Sequence, residues 1–148
     1  MGTNVRRAGD GDRRAVGDIH VAARAAMTYL PRLHTDDEIR EHFAGLISTY
    51  DTWVYVTGAG DVCGFAIASE KCLEHLYVDP SAQGRGFGGA LLQRVMDERP
   101  DGFTLWTFQD NTGARRFYER AGLRLVRLTD GSDNEERVPD ALYEWQPT

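Results

Sequence analysis

Two hydrophobic rhythms run along the chain. In the first part, apolar residues recur every three or four positions at Ala15, Ile19, Ala22, Ala23, Ala26 and Leu30, the spacing of one helix face, and Pro31 is expected to close that helix. Val5 to Ala8 reads as a short strand ahead of it, with Asp10-Gly11-Asp12 as turn and N-cap. Thr35-Asp36-Asp37-Glu38 is a capping box opening a second helix, whose buried stripe is Ile39, Phe43, Leu46 and Ile47.

The period then shortens to two. Thr52 to Thr57 and Val62 to Ala68 are joined by Gly58-Ala59-Gly60-Asp61 and predict a hairpin, and Cys72 to Val78 predicts a third strand. Asp79-Pro80 breaks that strand, a Gly-rich loop runs to Gly89, and Ala90 to Arg99 predicts a helix closed by Pro100-Asp101-Gly102. Phe103 to Phe108 is a strand, and Thr112 to Ala121 a helix with Gly122 as its left-handed cap. Strands Leu123 to Leu128 and Ala141 to Trp145 flank the polar, turn-rich stretch Thr129 to Asp140. Hairpin-linked strands followed by strand–helix–strand units predict an α/β (α+β) fold: a mixed central sheet of about six to seven strands flanked by about four helices. Ligands of such a sheet bind beyond the carboxyl ends of its parallel strands, here the Gly-rich loop after Val78.

Composition narrows the class. With 148 residues, 41% hydrophobic and 27% charged, the chain fits one domain over residues 1–148 and excludes collagen-like, coiled-coil and Pro-rich architectures. Seventeen Lys and Arg against twenty-three Asp and Glu give a formal charge of −6, which argues against nucleic acid and for a small neutral or cationic partner. No apolar run approaches the roughly 20 residues of a membrane span, and the polar N-terminus lacks a signal-peptide core, so a cytoplasmic protein is expected. Cys63 and Cys72 have no His or Cys neighbours at zinc-ligand spacing and read as small core hydrophobes. His20, His34, His42 and His75 form no chelating pair, and no metal site is expected.

Gln83-Gly84-Arg85-Gly86-Phe87-Gly88-Gly89 places four glycines between a strand and a helix start. Glycine permits close approach of a ligand to the backbone, and the free amides of a helix's first turn attract an anion such as pyrophosphate. Gly84-x-Gly86-x-x-Gly89 matches the dinucleotide fingerprint literally, with Asp110 at the distance of a ribose-binding acid. That match is rejected because five residues, Asp79 to Gln83, separate the strand from the first glycine, and about half the chain precedes the loop. No Gly-Lys-Ser/Thr follows, so a Walker A loop is excluded too.

These residues resemble the GNAT superfamily of acetyl-CoA-dependent N-acetyltransferases, whose signature Gln/Arg-x-x-Gly-x-Gly/Ala matches Gln83-x-x-Gly86-x-Gly88. Leu76-Tyr77-Val78-Asp79-Pro80 is similar to the family's preceding strand, and Asn111 to Leu123 to its second CoA-side motif. The resemblance, over residues 72–123, implies transfer of acetyl from acetyl-CoA to a primary amine of a small molecule or peptide by direct attack. Amides from Arg85 to Gly89 would cradle the pyrophosphate, with Gln83 and Gly84 in the same loop. The backbone of Leu76, Tyr77 and Val78 would hold the pantetheine arm and polarise the acetyl carbonyl, and Asn111 would bond the arm while capping its helix. Tyr118 matches the tyrosine that protonates the departing thiolate. Glu74, near the position of a family glutamate, is the candidate base, and strand alternation sets it with Cys72 and Leu76 and sets His75, the competing base, opposite.

Neither cysteine has the His partner that a covalent acyl-enzyme would need. The acidic stretch Thr129 to Asp140, facing Tyr29 and His34 across the acceptor side, would attract a cationic amine. An exposed sheet edge leaves a homodimer open. The alternative function is a non-catalytic acyl-CoA-binding or sensory domain, which would keep the loop without using Glu74 or Tyr118.

Overall fold

The computed structural model describes residues 4–147. Strand β1 (Val5–Arg7) leads through a 3-10 turn (Asp10–Asp12) into α1 (Arg13–Ala25), followed by α2 (Asp36–Thr49). Next come β2 (Asp51–Val56), β3 (Val62–Ala68), β4 (Leu73–Val78), α3 (Phe87–Glu98), β5 (Phe103–Phe108), α4 (Thr112–Arg120), β6 (Arg124–Leu128) and β7 (Asp140–Trp145). The seven strands and four helices match the mixed α/β arrangement expected from the sequence. They fall into two sheets, β1-β2-β3-β4 and β5-β7-β6, with antiparallel pairing inside each.

Alternation along the hairpin divides the core. Trp53 and Ala66 face α3, in a cluster with Leu91, Leu92, Val95, Leu105 and Tyr143, whereas Val54, Phe65 and Ile67 face Val16, Ile19 and Phe43 of α1 and α2. Each large apolar side chain withdrawn from water in this way contributes roughly 1.5–3 kcal/mol. The close approach of α1 to α2 depends on Gly17, where a Cβ would lie 3.1 Å from the Arg40 Cα.

The capping box is present: Glu38 N donates to Thr35 Oγ1 at 3.1 Å, and Thr35 N to Glu38 Oε1 at 2.8 Å. Two boundaries differ from expectation. α1 ends at Ala25 rather than before Pro31, because the chain turns and brings the Tyr29 ring edge-on to Phe108, 6.2 Å between centroids. α3 begins at Phe87 rather than Ala90, because Phe87 stacks on Tyr55 at 4.1 Å and anchors the first turn despite its glycines.

Candidate active site

β4 and β5 start side by side and then part. Cys72 and Thr104 form one parallel bridge, and Thr104 N donates to Lys71 O at 3.0 Å. Beyond it no ladder joins the two strands among the described residues: β4 pairs with β3 and β5 with β7. The gap is a cleft of about 1230 Å³ walled by Leu73–Val78 and Leu105–Phe108. With one edge unpaired, β4 turns half of its main-chain donors and acceptors toward this cleft.

At Glu74 the ladder slips. Ile67 lies opposite His75 but Ala68 opposite Leu73, so Glu74 is the extra residue of a bulge. Simple alternation therefore fails there: Leu73 joins Leu76 and Val78 in the α3-side core, while His75 packs on Phe43 at 4.6 Å on the α1–α2 side. The Glu74 carboxylate borders the cleft and accepts from Ser69 Oγ at 2.8 Å. Burial, and then the neighbouring Glu74, push the Cys72 thiol up to about 11, so it stays protonated and is no nucleophile at neutral pH. Burial, and then His42, hold His75 down at about 4. It is neutral and a weak base; its ring packs on Phe43, and the residue also borders the cleft.

The Gly-rich loop closes the wide end of the cleft. Gln83 Nε2 donates to Val78 O at 3.3 Å, tying the loop to the end of β4. Gly84 and Gly86 have φ of +80° and +83°, and Gly86 is the N-cap of α3. No side chain caps α3, whereas Thr35 caps α2 and Asn111 caps α4. The first-turn amides of α3 are thus left for a ligand, and the helix dipole favours an anionic one. Gln83, Gly84 and Gly86 to Gly89 border the cleft; Arg85 is exposed and outside its lining.

α4 supplies the facing wall. Asn111 Oδ1 accepts from Ala114 N at 3.1 Å, which satisfies the helix end, and its Nδ2 has no acceptor among the described residues. Tyr118 reaches the cleft yet is only 7% exposed, and burial, then the Tyr77 phenol, raise its pKa well above the ordinary value. Its hydroxyl therefore carries a proton at neutral pH. Tyr143 OH donates to Glu119 and accepts from Arg115 Nε at 3.1 Å, pinning α4 to β7.

The opposite end is bounded by Met27 and Tyr29 on one side and by Asp133, Asn134 and Glu136 on the other. The Tyr29 hydroxyl is shielded from solvent and has no hydrogen-bond partner among the described residues. Most of the acidic stretch is engaged in holding its own shape. Arg24 pairs with Glu136 at 3.5 Å, His34 with Glu135, and Asp140 accepts from Thr129 Oγ1 and from Asn134 Nδ2 at 3.1 Å. His34, expected on the acceptor wall, lies outside the cleft lining and fastens the loop instead. Ser69, Met27 and Phe108 carried no signal in the sequence, since they reach the site through a bulge, a chain reversal and the parting of two strands. Among the described residues no group of three or more His, Cys, Asp or Glu is placed to hold a metal ion, and no helix is long and apolar enough to cross a membrane.

The family model for the acetyltransferase (GNAT) domain matches residues 48–123. Peptidyl-lysine N-acetyltransferase YjaB of Salmonella typhimurium is 26% identical over 102 residues, covering 69% of this chain and 70% of that enzyme. The solution structure of apo YjaB from Escherichia coli is similar over 100% of both chains, with a TM-score of 0.79 at 19% identity. A phosphinothricin acetyltransferase from Sinorhizobium meliloti, solved in complex with acetyl-CoA, gives a TM-score of 0.75 at 20% identity, over 98% of this chain and 88% of that one.

Proposed function

The chain belongs to the GNAT acetyltransferase family, and on that premise we propose that it moves acetyl from acetyl-CoA to a primary amine of a small molecule or peptide by direct attack in a ternary complex. The names of its relatives span both kinds of acceptor, peptidyl-lysine and phosphinothricin. One observation carries the reading: an uncapped, glycine-led helix end and a protonated tyrosine face each other across the cleft between β4 and β5.

Acetyl-CoA supplies an activated thioester. The amides of Phe87, Gly88 and Gly89 bind its diphosphate, as the missing side-chain cap of α3 allows. The open edge of β4 at Leu76 to Val78 bonds the pantetheine arm and orients the acetyl carbonyl, and Asn111 Nδ2 donates to the same arm. Glu74, held by Ser69, takes the proton that a protonated amine must lose before it can attack. Tyr118 keeps its proton until sulfur departs, then donates it. Both cysteines are bypassed.

Titration calorimetry with acetyl-CoA, run beside a thiol-release assay on amines that include peptides, tests the proposal. Micromolar binding together with amine-dependent CoA release is expected. Binding without release from any amine favours the sensory alternative, and absence of binding removes the loop from the account.

A further inference from the structure

With the carrier in the wide end of the cleft, the acceptor comes in from the end bounded by Met27 and Tyr29 and by Asp133, Asn134 and Glu136. An alkylamine arrives protonated, and a cation leaving water for a cleft needs an anion to meet it. Among the described residues, the acids lining the cleft are Glu74, Asp110, Asp133, Glu136 and Asp140. Glu74, Asp110 and Asp133 are exposed, and Asp140 is held by Thr129 and Asn134. Glu136 differs from the rest. Its side chain is only 16% exposed, and it is paired with a guanidinium, that of Arg24, at 3.5 Å. Arg24 belongs to the last turn of α1 and does not itself border the cleft. A cation of the chain's own thus already sits on a cleft-facing carboxylate.

The loop that carries Glu136 is fastened without this pair. His34 bonds the adjacent Glu135, Asn134 Nδ2 donates to Val138 O at 2.7 Å, and Val138 N donates to Asn134 Oδ1 at 3.2 Å. Arg24 adds one hydrogen bond, at 3.5 Å, to a loop that these contacts already shape. Two phenols stand close by. Tyr29 and Tyr77 line the cleft, and Arg24, Tyr29 and Glu136 all lie within electrostatic reach of the Tyr77 hydroxyl. The Tyr29 hydroxyl, without a partner among the described residues, is left for a ligand to bond.

We propose that Glu136 is the carboxylate that receives the acceptor as an alkylammonium ion, and that Arg24 is its internal stand-in, displaced as the acceptor enters. The inference rests on the acetyl-transfer reading above and adds to it the two residues that admit the amine. The exchange keeps Glu136 paired throughout. In the free protein the guanidinium spares it the cost of a largely enclosed, unpaired charge, and in the complex the acceptor's ammonium does the same. Arg24, once released, stays at the C-terminal end of α1, where the helix dipole favours a cation. Glu136 takes no proton: it binds the charged amine, and Glu74 removes the proton afterwards. A purely structural ion pair would make its two halves equally valuable, whereas an exchange gives their removal opposite effects.

The test measures kcat and KM on the full chain for two alkylamines, blocked lysine and butylamine, at saturating acetyl-CoA. Glu136→Gln is expected to raise the amine KM about tenfold or more. Arg24→Met removes the competitor and lowers that KM several-fold, while Arg24→Lys stays near wild type. Arg24→Met added to Glu136→Gln has no further effect, because Arg24 acts only through Glu136. An unchanged KM for acetyl-CoA shows that each variant is folded. The proposal is overturned if Arg24→Met and Glu136→Gln both raise the amine KM, if neither moves it, or if Arg24→Met acts equally with and without Glu136. If wild type releases CoA with other amines but with neither of these two, the exchange alone fails. If no amine releases CoA, acetyl transfer to amines fails and the exchange falls with it.

Discussion

Tyr118 holds its proton because its surroundings make a phenolate costly: it is nearly enclosed, with the Tyr77 phenol close by. Such a group is uncharged at neutral pH and offers its O–H to a leaving thiolate as a hydrogen bond, while the same burial makes full transfer of the proton harder. Tyr118→Phe keeps the ring that packs in the α3-side core, so kcat should fall about 10²-fold while calorimetry finds acetyl-CoA affinity unchanged; an unaltered kcat would falsify its role. Glu74→Gln should lower kcat/KM and abolish the acidic limb of the pH–rate profile. A surviving limb would assign the proton to His75 or to a water chain. Glu74, Asn111 and Tyr118 all border the cleft; Asn111 and Tyr118 could be looked for because both fall within the motif from Asn111 to Leu123, and Glu74 because of its place on β4. Ser69 was not: it lies five positions from Glu74 and meets it only because the bulge turns the carboxylate toward it.

Among the elements, those with local causes could be read in advance. Thr35 and Glu38 announce α2, Asn111 announces α4, and Gly122 closes it at φ +95°. The two displaced boundaries have tertiary causes, the stacking of Phe87 on Tyr55 and the contact of Tyr29 with Phe108, which no local pattern encodes. The two caps also separate structure from function. Thr35→Ala should cost about 1 kcal/mol in denaturant unfolding and leave the KM for acetyl-CoA alone. Asn111→Ala should cost a similar amount and raise that KM several-fold; if only stability changes, Asn111 is a cap and nothing more.

Across the whole molecule, alternation found the seven strands but not their division into two sheets, because whether β4 and β5 pair along their length is settled between residues some thirty positions apart. The layer that backs β4 adds a pH dependence. Burial, and then neighbouring charges, hold His20 at about 3 and His75 at about 4, both below the 6.5 of an unfolded histidine. The unfolded chain therefore binds protons that the native state refuses. This contribution is complete above about pH 6.5 and is lost as pH falls from there toward the folded values. Urea unfolding should show stability dropping by several kcal/mol between about pH 7 and pH 4.5, and His20→Leu should flatten that slope. A wild-type profile without the drop would exclude the histidines as its source.

The lone bridge between Cys72 and Thr104 is where the two ladders touch before they part. A single core holding Trp53, Leu91, Leu105 and Tyr143 joins both sheets beneath the parting, so the opening is kept by packing rather than by strand pairing. Zipping β4 to β5 with a longer ladder would shut the gap that has to admit two reactants.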